Sequence, residues 1–248
     1  MTPLFGHTRT RICARHALIT SDGHVASSVP GITGARVIAH ITPAMGARFA
    51  QSTILFAAGG HASIGSEADE HVLFVQQGNL EAIFDGKKQT LMPSAYIYVP
   101  PQAKMEVLAT EPAALVWFQK TYVPLAGTKT PSLYHGHASK IEGLPFLGNP
   151  KARLQTLLPD EPAFDLAVNI FTYQPGAALP FVETHVMEHG LLMLAGQGIY
   201  RLEDEWYPIT AGDIIWMAPY CPQWFAAVGD APASYIYYKD VNRPFLTP

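Results

Sequence analysis

The chain repeats itself, and what repeats is a pattern of strands and turns. His71 is followed seven residues later by Gly78 and then by Asn79-Leu80-Glu81-Ala82-Ile83. His189 is followed seven residues later by Gly196 and then by Gln197-Gly198-Ile199-Tyr200. Downstream, Met92-Pro93-Ser94-Ala95-Tyr96-Ile97-Tyr98-Val99-Pro100-Pro101 is echoed by Thr210-Ala211-Gly212-Asp213-Ile214-Ile215-Trp216-Met217-Ala218-Pro219. Each half reads strand, glycine turn, strand, turn, strand, proline corner. Two similar β-barrels in tandem satisfy this pattern, because double-sheet jelly rolls protect strand edges that open sheets expose.

The rest of the chain agrees with an all-β class. Residues 36–40, 71–75, 95–99, 114–118, 166–173, 190–194, 213–217 and 234–239 are short runs rich in β-branched and aromatic residues. The 21 prolines and 20 glycines suit many turns, and no long amphipathic helix is visible. We expect an N-terminal barrel over residues 1–121, a proline- and glycine-rich linker over 122–150, and a C-terminal barrel over 151–248. A net charge of -4 leaves no basic footprint for nucleic acid. No apolar run reaches the length of a membrane span. Residues 1–15 carry basic groups but no apolar stretch follows, so no signal peptide is read and a cytoplasmic location is expected. Cys13 and Cys221 make no disulfide framework.

One segment carries chemistry: Glu183-Thr184-His185-Val186-Met187-Glu188-His189. On a strand, Glu183, His185 and His189 share one face, since side chains alternate with period two. On a helix they would not converge. One carboxylate and two imidazoles on one wall form a metal-binding set suited to manganese, iron, nickel or zinc. The alternative is a solvated strand face. Met187 shares the wall but is expected to pack there, its thioether being too soft for such a site. Glu188 points to the other face, as a structural group or one behind the ligands. Gln223, beside Pro222, reads on its own as a turn glutamine more readily than as an amide-oxygen ligand. Tyr235, Tyr237 and Lys239 share one face of a late strand, where a lysine can equally guard an exposed edge.

The first half departs from this set. Aligning His71 with His189 puts Gly65 at the Glu183 position and Glu67 at the His185 position. Aligning Pro100 with Pro219 puts Lys104 where Gln223 stands. An ammonium has no lone pair to donate. A polar cluster or ion pair of Glu67, His71 and Lys104 is therefore expected, with one metal per chain in the C-terminal barrel. His135-Gly136-His137 is expected in a surface loop and His61 in a turn. Asp160-Glu161 and Glu203-Asp204-Glu205 read as solvated turn charges. Phosphate-binding glycine loops and a nucleophile elbow are absent from the sequence.

The repeat and the second-half motif resemble a bicupin, and within that group the (S)-ureidoglycine aminohydrolases of purine catabolism. The resemblance covers nearly the whole chain. It implies that Glu183, His185, His189 and Gln223 ligate a metal, Mn(II) before other divalent ions. It implies that Tyr200, Tyr235 and Lys239 surround the substrate, with Glu183 and Lys239 as the catalytic candidates. The implied activity is hydrolysis of a C–N bond: (S)-ureidoglycine and water give (S)-ureidoglycolate and ammonia. The partner set expected is a small-molecule substrate and other copies of the chain in a homo-oligomer, with no nucleic acid and no membrane. Two other readings stay open at this level. One is a cupin dioxygenase or isomerase acting on a small carboxylate; the other is a non-catalytic bicupin that binds a small molecule.

Overall fold

The computed structural model describes residues 7–241. In chain order the first strands are β1 (Arg11–Ile12), β2 (His16–Ile19), β3 (Ile32–Ile41), β4 (Ala50–Gly65), β5 (Asp69–Gln77), β6 (Leu80–Phe84) and β7 (Lys87–Leu91). Next come β8 (Ala95–Val99), β9 (Lys104–Ala109), β10 (Ala113–Thr121), β11 (Tyr134–His137), β12 (Leu144–Phe146) and β13 (Asn149–Thr156). The last are β14 (Leu166–Tyr173), β15 (His189–Ala195), β16 (Gln197–Leu202), β17 (Glu205–Thr210), β18 (Ile214–Met217), β19 (Gln223–Val228) and β20 (Ala233–Asp240). The helical elements among the described residues are short 3-10 turns, so the class is all-β as expected. No helix in the described residues is long and apolar enough to cross a membrane.

The repeat is visible in backbone geometry. Gly78 and Gly196 both have positive φ, +71° and +73°. A Cβ on either would sit 2.4 Å from Pro112 O or 2.5 Å from Pro232 O, so only glycine fits the turn after each repeat histidine. Asp85 and Glu203 (φ 48° and 55°), and Gln102 and Tyr220 (φ 66° and 60°), are further matched positions in the left-handed region. Strand register repeats too. His71 pairs with Val99 and His189 with Met217.

Each of two compact units has its own apolar core. One comprises residues 7–24, Pro145–Leu154 and Ile170–Tyr237; the other comprises Val25–Leu144, Gln155–Asn169 and residues 238–241. Leu191, Met193, Ile215, Phe225 and their neighbours form the core of the first, and Leu73, Val75, Ile97, Val107 and Leu115 that of the second. These units are not the consecutive stretches 1–121 and 151–248. The start of the chain runs in the sheet order β1-β2-β18-β15. There β2 satisfies the free edge of β18, with Met217 opposite His16 and Trp216 opposite Ala17. Residues 1–6 and 242–248 of those expected regions lie outside the described residues.

The expected linker is partly ordered sheet. β11 pairs with β8 from Tyr134↔Tyr98 to His137↔Ala95, so His135 and His137 lie on a strand rather than in a loop. His61 is likewise no turn residue. It sits inside β4 opposite Leu108, with Nε2 2.6 Å from a Glu106 carboxylate oxygen. Both departures have one cause: long-range pairing overrode local glycine signals. Cys13 and Cys221 are free thiols.

Candidate metal centre and active site

Three pieces of chain build the site. β15 begins at His189, and β19 begins at Gln223. Glu183 forms an isolated bridge to Gln223, through Glu183 N to Gln223 O at 2.8 Å and Gln223 N to Glu183 O at 2.9 Å. Between them, residues 184–188 are not strand. The expectation of one continuous strand from Glu183 to His189 is therefore corrected. This segment satisfies its polar groups locally: Tyr220 N donates to His185 O at 2.7 Å, and His185 Nδ1 bonds Met187 O at 3.0 Å.

The side chains nonetheless converge. His185 Nε2 lies 3.1 Å from His189 Nε2 and 2.8 Å from Gln223 Nε2. A carbonyl only accepts, so His185 Nδ1 carries a proton toward Met187 O. In the neutral ring, Nε2 then holds the lone pair and aims it at His189 and Gln223. That is how a ligating histidine is normally held, with its other nitrogen tied to a carbonyl. Glu183, His189 and Gln223 also line one small cavity of about 30 Å³, together with Tyr200, Tyr235, Tyr237 and Met217. Among the described residues no three His, Cys, Asp or Glu side chains form a preformed cage. The converging trio is two imidazoles and an amide, with Glu183 on the same cavity wall. The imidazole nitrogens and the Glu183 carboxylate fit a borderline divalent metal, and Gln223 joins them once its amide is turned to present Oε1 in place of the Nε2 that faces His185.

A buried phenol network backs the trio. Tyr200 OH donates to Gln223 Oε1 at 3.2 Å, and the Tyr173 and Tyr235 hydroxyls are 3.2 Å apart. Burial, as the leading cause, pushes all three phenols well above their ordinary pKa, so they stay protonated donors. Tyr237 meets His189 edge-on with ring centroids 5.3 Å apart. Tyr173 was not singled out from sequence. The signal was there, since alternation along β14 puts it on the same face as Phe171, which lines the cavity. Lys239 follows Tyr235 and Tyr237 on the same side of β20 and is half-buried, but is not among the residues lining the cavity. Met187 is half-buried and contributes its carbonyl. Glu188 is fully buried and accepts from Trp216 Nε1 at 3.4 Å.

In the N-terminal barrel the equivalent positions hold no such trio. Gly65 pairs with Lys104, in the same arrangement as Glu183 with Gln223. The expected cluster of Glu67, His71 and Lys104 does not form. Glu67 and Lys104 are exposed, as long charged side chains on a barrel rim are held by hydration, while His71 is buried. His71 Nδ1 instead accepts the Trp117 indole N–H at 3.1 Å. Burial pushes the His71 pKa down to about 4. Glu203 also departs from a plain solvated charge: its carboxylate lies 3.4 Å from Arg15 Nη1 and 3.2 Å from His16 Nδ1.

A cupin-domain family model matches residues 169–238, the stretch that carries this site. Over 241 residues, 96% of this chain, the sequence is 39% identical to the probable (S)-ureidoglycine aminohydrolase of Oryza sativa subsp. japonica, of which it covers 77%. It is 36% identical over 232 residues to the (S)-ureidoglycine aminohydrolase of Escherichia coli (strain K12), covering 92% of this chain and 88% of that protein. The crystal structure of protein Ylba from E. coli matches with a TM-score of 0.86 at 35% identity, over 95% of each chain. The fold is thus the bicupin expected from the repeat.

Proposed function

The chain belongs to the (S)-ureidoglycine aminohydrolase family, and from that premise we propose that its C-terminal barrel hydrolyses (S)-ureidoglycine with a divalent metal held by Glu183, His185, His189 and Gln223. The products are (S)-ureidoglycolate and ammonia. The single observation that carries the metal reading is the His185 Nε2 lone pair, fixed by Met187 O and shared with His189 and Gln223. Manganese is the ion we assign, because Glu183 would add a hard oxygen to the two imidazoles, as would Gln223 once its amide is turned so that Oε1 instead of Nε2 faces His185. When bound, such an ion would hold the substrate by its oxygens and stabilise developing negative charge.

The protein groups have separable tasks in this proposal. Lys239 is assigned the substrate carboxylate although it does not line the cavity, and Tyr235 donates to the ureido oxygen, with Tyr200 doing so on leaving Gln223 Oε1; both buried phenols stay protonated. The lone pair of the ureido nitrogen assists departure of ammonia, and water adds to the resulting imine carbon. Apolar walls from Phe171, Leu191 and Met217 limit access of other water. Glu183, as a metal ligand, is a less basic carboxylate than a free one, and moving a proton beside the reacting carbon is its second proposed task. The deciding experiment follows ammonia release from freshly generated ureidoglycine, on protein stripped with chelator and reloaded with manganese. Metal-dependent release giving the single (S) product is expected. Release at the uncatalysed rate by fully loaded protein would overturn the reading.

A further inference from the structure

The corner that delivers Gln223 is gripped from outside by the beginning of the chain. Ala218 N donates to Arg15 O at 2.9 Å, and Arg15 Nη2 donates to Pro219 O at 3.1 Å. The same guanidinium reaches Glu203, whose own N–H donates to Pro222 O at 2.8 Å. From inside, the corner is tied to the ligand segment. Tyr220 N donates to His185 O, and Gln223 and Glu183 exchange backbone bonds. Tyr220 is held at φ 60°, in the left-handed region that a tyrosine adopts only when its surroundings impose it. Arg15 is thus joined to His185 and Gln223 through one short, strained turn.

The other barrel offers a control. Tyr134↔Tyr98 is the pair equivalent to Ala17↔Trp216. Two residues before each first partner stand Ser132 and Arg15. The barrel that lacks the histidine–glutamine trio also lacks an arginine at the gripping position.

We propose that Arg15 is a positioning residue of the candidate metal site, acting on His185 and Gln223 through the 218–222 corner. The proposal rests on the metal reading given above. The polar bonds of Arg15 run to Ala218, Pro219 and Glu203 and not to the cavity-lining side chains, so its effect is on how well the donors are pre-placed. Partners that orient metal ligands typically change metal affinity about tenfold to a hundredfold.

The test compares Arg15→Ala, Arg15→Lys and Arg9→Ala. Arg9 anchors the same N-terminal segment at its other end, with Nη1 and Nη2 at 2.8 and 2.7 Å from the two Asp213 carboxylate oxygens. Removing Arg9 is expected to cost fold stability, since Asp213 is buried, while Arg9 makes none of the bonds that hold the corner, and the thermal midpoints show whether the two losses match. Manganese(II) is titrated into chelator-stripped protein, with the free ion followed by electron paramagnetic resonance and thermal midpoints measured in parallel. Arg15→Ala is expected to weaken manganese binding about tenfold or more, Arg15→Lys to restore part of it through the Pro219 carbonyl, and Arg9→Ala to leave it unchanged. Wild-type affinity in Arg15→Ala, or equal weakening in Arg9→Ala, overturns the proposal. Wild-type protein that takes up no manganese overturns the metal reading itself, and this inference with it.

Discussion

The two barrels share a blueprint and differ in what they do with one histidine. In each, a histidine opens or enters a central strand opposite an apolar residue, His71 opposite Val99 and His189 opposite Met217. In each, the preceding residue is a fully buried glutamate that accepts from an aromatic side chain on the neighbouring strand. Tyr98 OH donates to Glu70 at 2.8 Å, and Trp216 Nε1 donates to Glu188 at 3.4 Å. His189 then joins His185 and Gln223, whereas His71 Nδ1 accepts from Trp117 and its Nε2 is buried without a hydrogen-bond partner. A scaffold position can therefore keep its residue type and lose its chemistry when the neighbours change, which is why function is argued from the site and not from the fold.

The sharpest way to break this comparison is to remove the histidines one barrel at a time. His185→Ala and His189→Ala should each abolish stoichiometric manganese uptake and bring ammonia release down to the uncatalysed rate. His71→Ala should leave both intact in the folded protein. Metal analysis of purified variants checks this. Loss of metal from His71→Ala with the fold preserved would mean that the N-terminal barrel also binds, and the asymmetry would fall.

The buried glutamates sharpen it further. In the N-terminal barrel Glu70 has Lys120 Nζ 4.0 Å away, and that lysine is bonded to Asp165. Lys120→Met would take this ammonium away from two buried carboxylates. Breaking a buried ion pair from one side costs about 3–5 kcal/mol. Urea unfolding should show a loss of that size, while the folded variant keeps its manganese. A loss within measurement error would mean that water or another cation already compensates these carboxylates.

A third difference lies in the backbone. Gly65, where Glu183 stands in the other barrel, has φ +145°, and an added Cβ would lie 2.2 Å from Ala103 O. Gly65→Ala should cost about 3 kcal/mol, at the upper end for a forced backbone conformation. It follows that Gly65→Glu, even combined with Glu67→His and Lys104→Gln, should not create a second metal site. A second equivalent of manganese bound by that triple variant would show that the barrel tolerates the ligand after all.

Much of this was legible in the sequence because the repeat is carried by residues with no substitutes. The glycines at 78 and 196 are forced by positive φ and a carbonyl under 3 Å from any Cβ, so they mark the same turn in both halves. The apolar strands between them follow from alternation and burial. What was not legible was long-range pairing. Nothing local to residues 9–19 says that they complete the sheet beside β18, or that Arg15 reaches the Gln223 corner. Glu183, His185 and His189 were picked out by strand alternation and Gln223 only by the family resemblance, yet His185 stands in irregular chain, held by a carbonyl two residues on and by Tyr220 N. The side chains still converge because a loop between two strands can bring them together as a strand face would. Tyr173 was legible only as part of the 166–173 strand, because nothing local says that its hydroxyl lies 3.2 Å from that of Tyr235.

The smallest effect concerns pH. His71 is buried and its pKa is lowered to about 4 from an ordinary 6.5, with desolvation as the main cause. A group whose folded pKa is depressed binds fewer protons folded than unfolded, so acid favours the unfolded chain. Its contribution is fully present above about pH 6.5, declines as pH falls toward about 4, and is then spent. At pH 5 the difference amounts to about 2 kcal/mol. His71→Asn removes the titration while keeping an oxygen near the Nδ1 position for the Trp117 N–H. Urea unfolding at pH 7 and pH 5 should show that the wild type loses more stability than His71→Asn across this window, by about that amount. Parallel losses in the two proteins would mean that His71 is protonated in the folded barrel. The proton added at Nδ1 would then face the Trp117 N–H, so that contact would have to open and an acid or a water-filled opening would have to take the Nδ1–H, and the N-terminal barrel would have kept more of a polar site than its Trp117 contact implies.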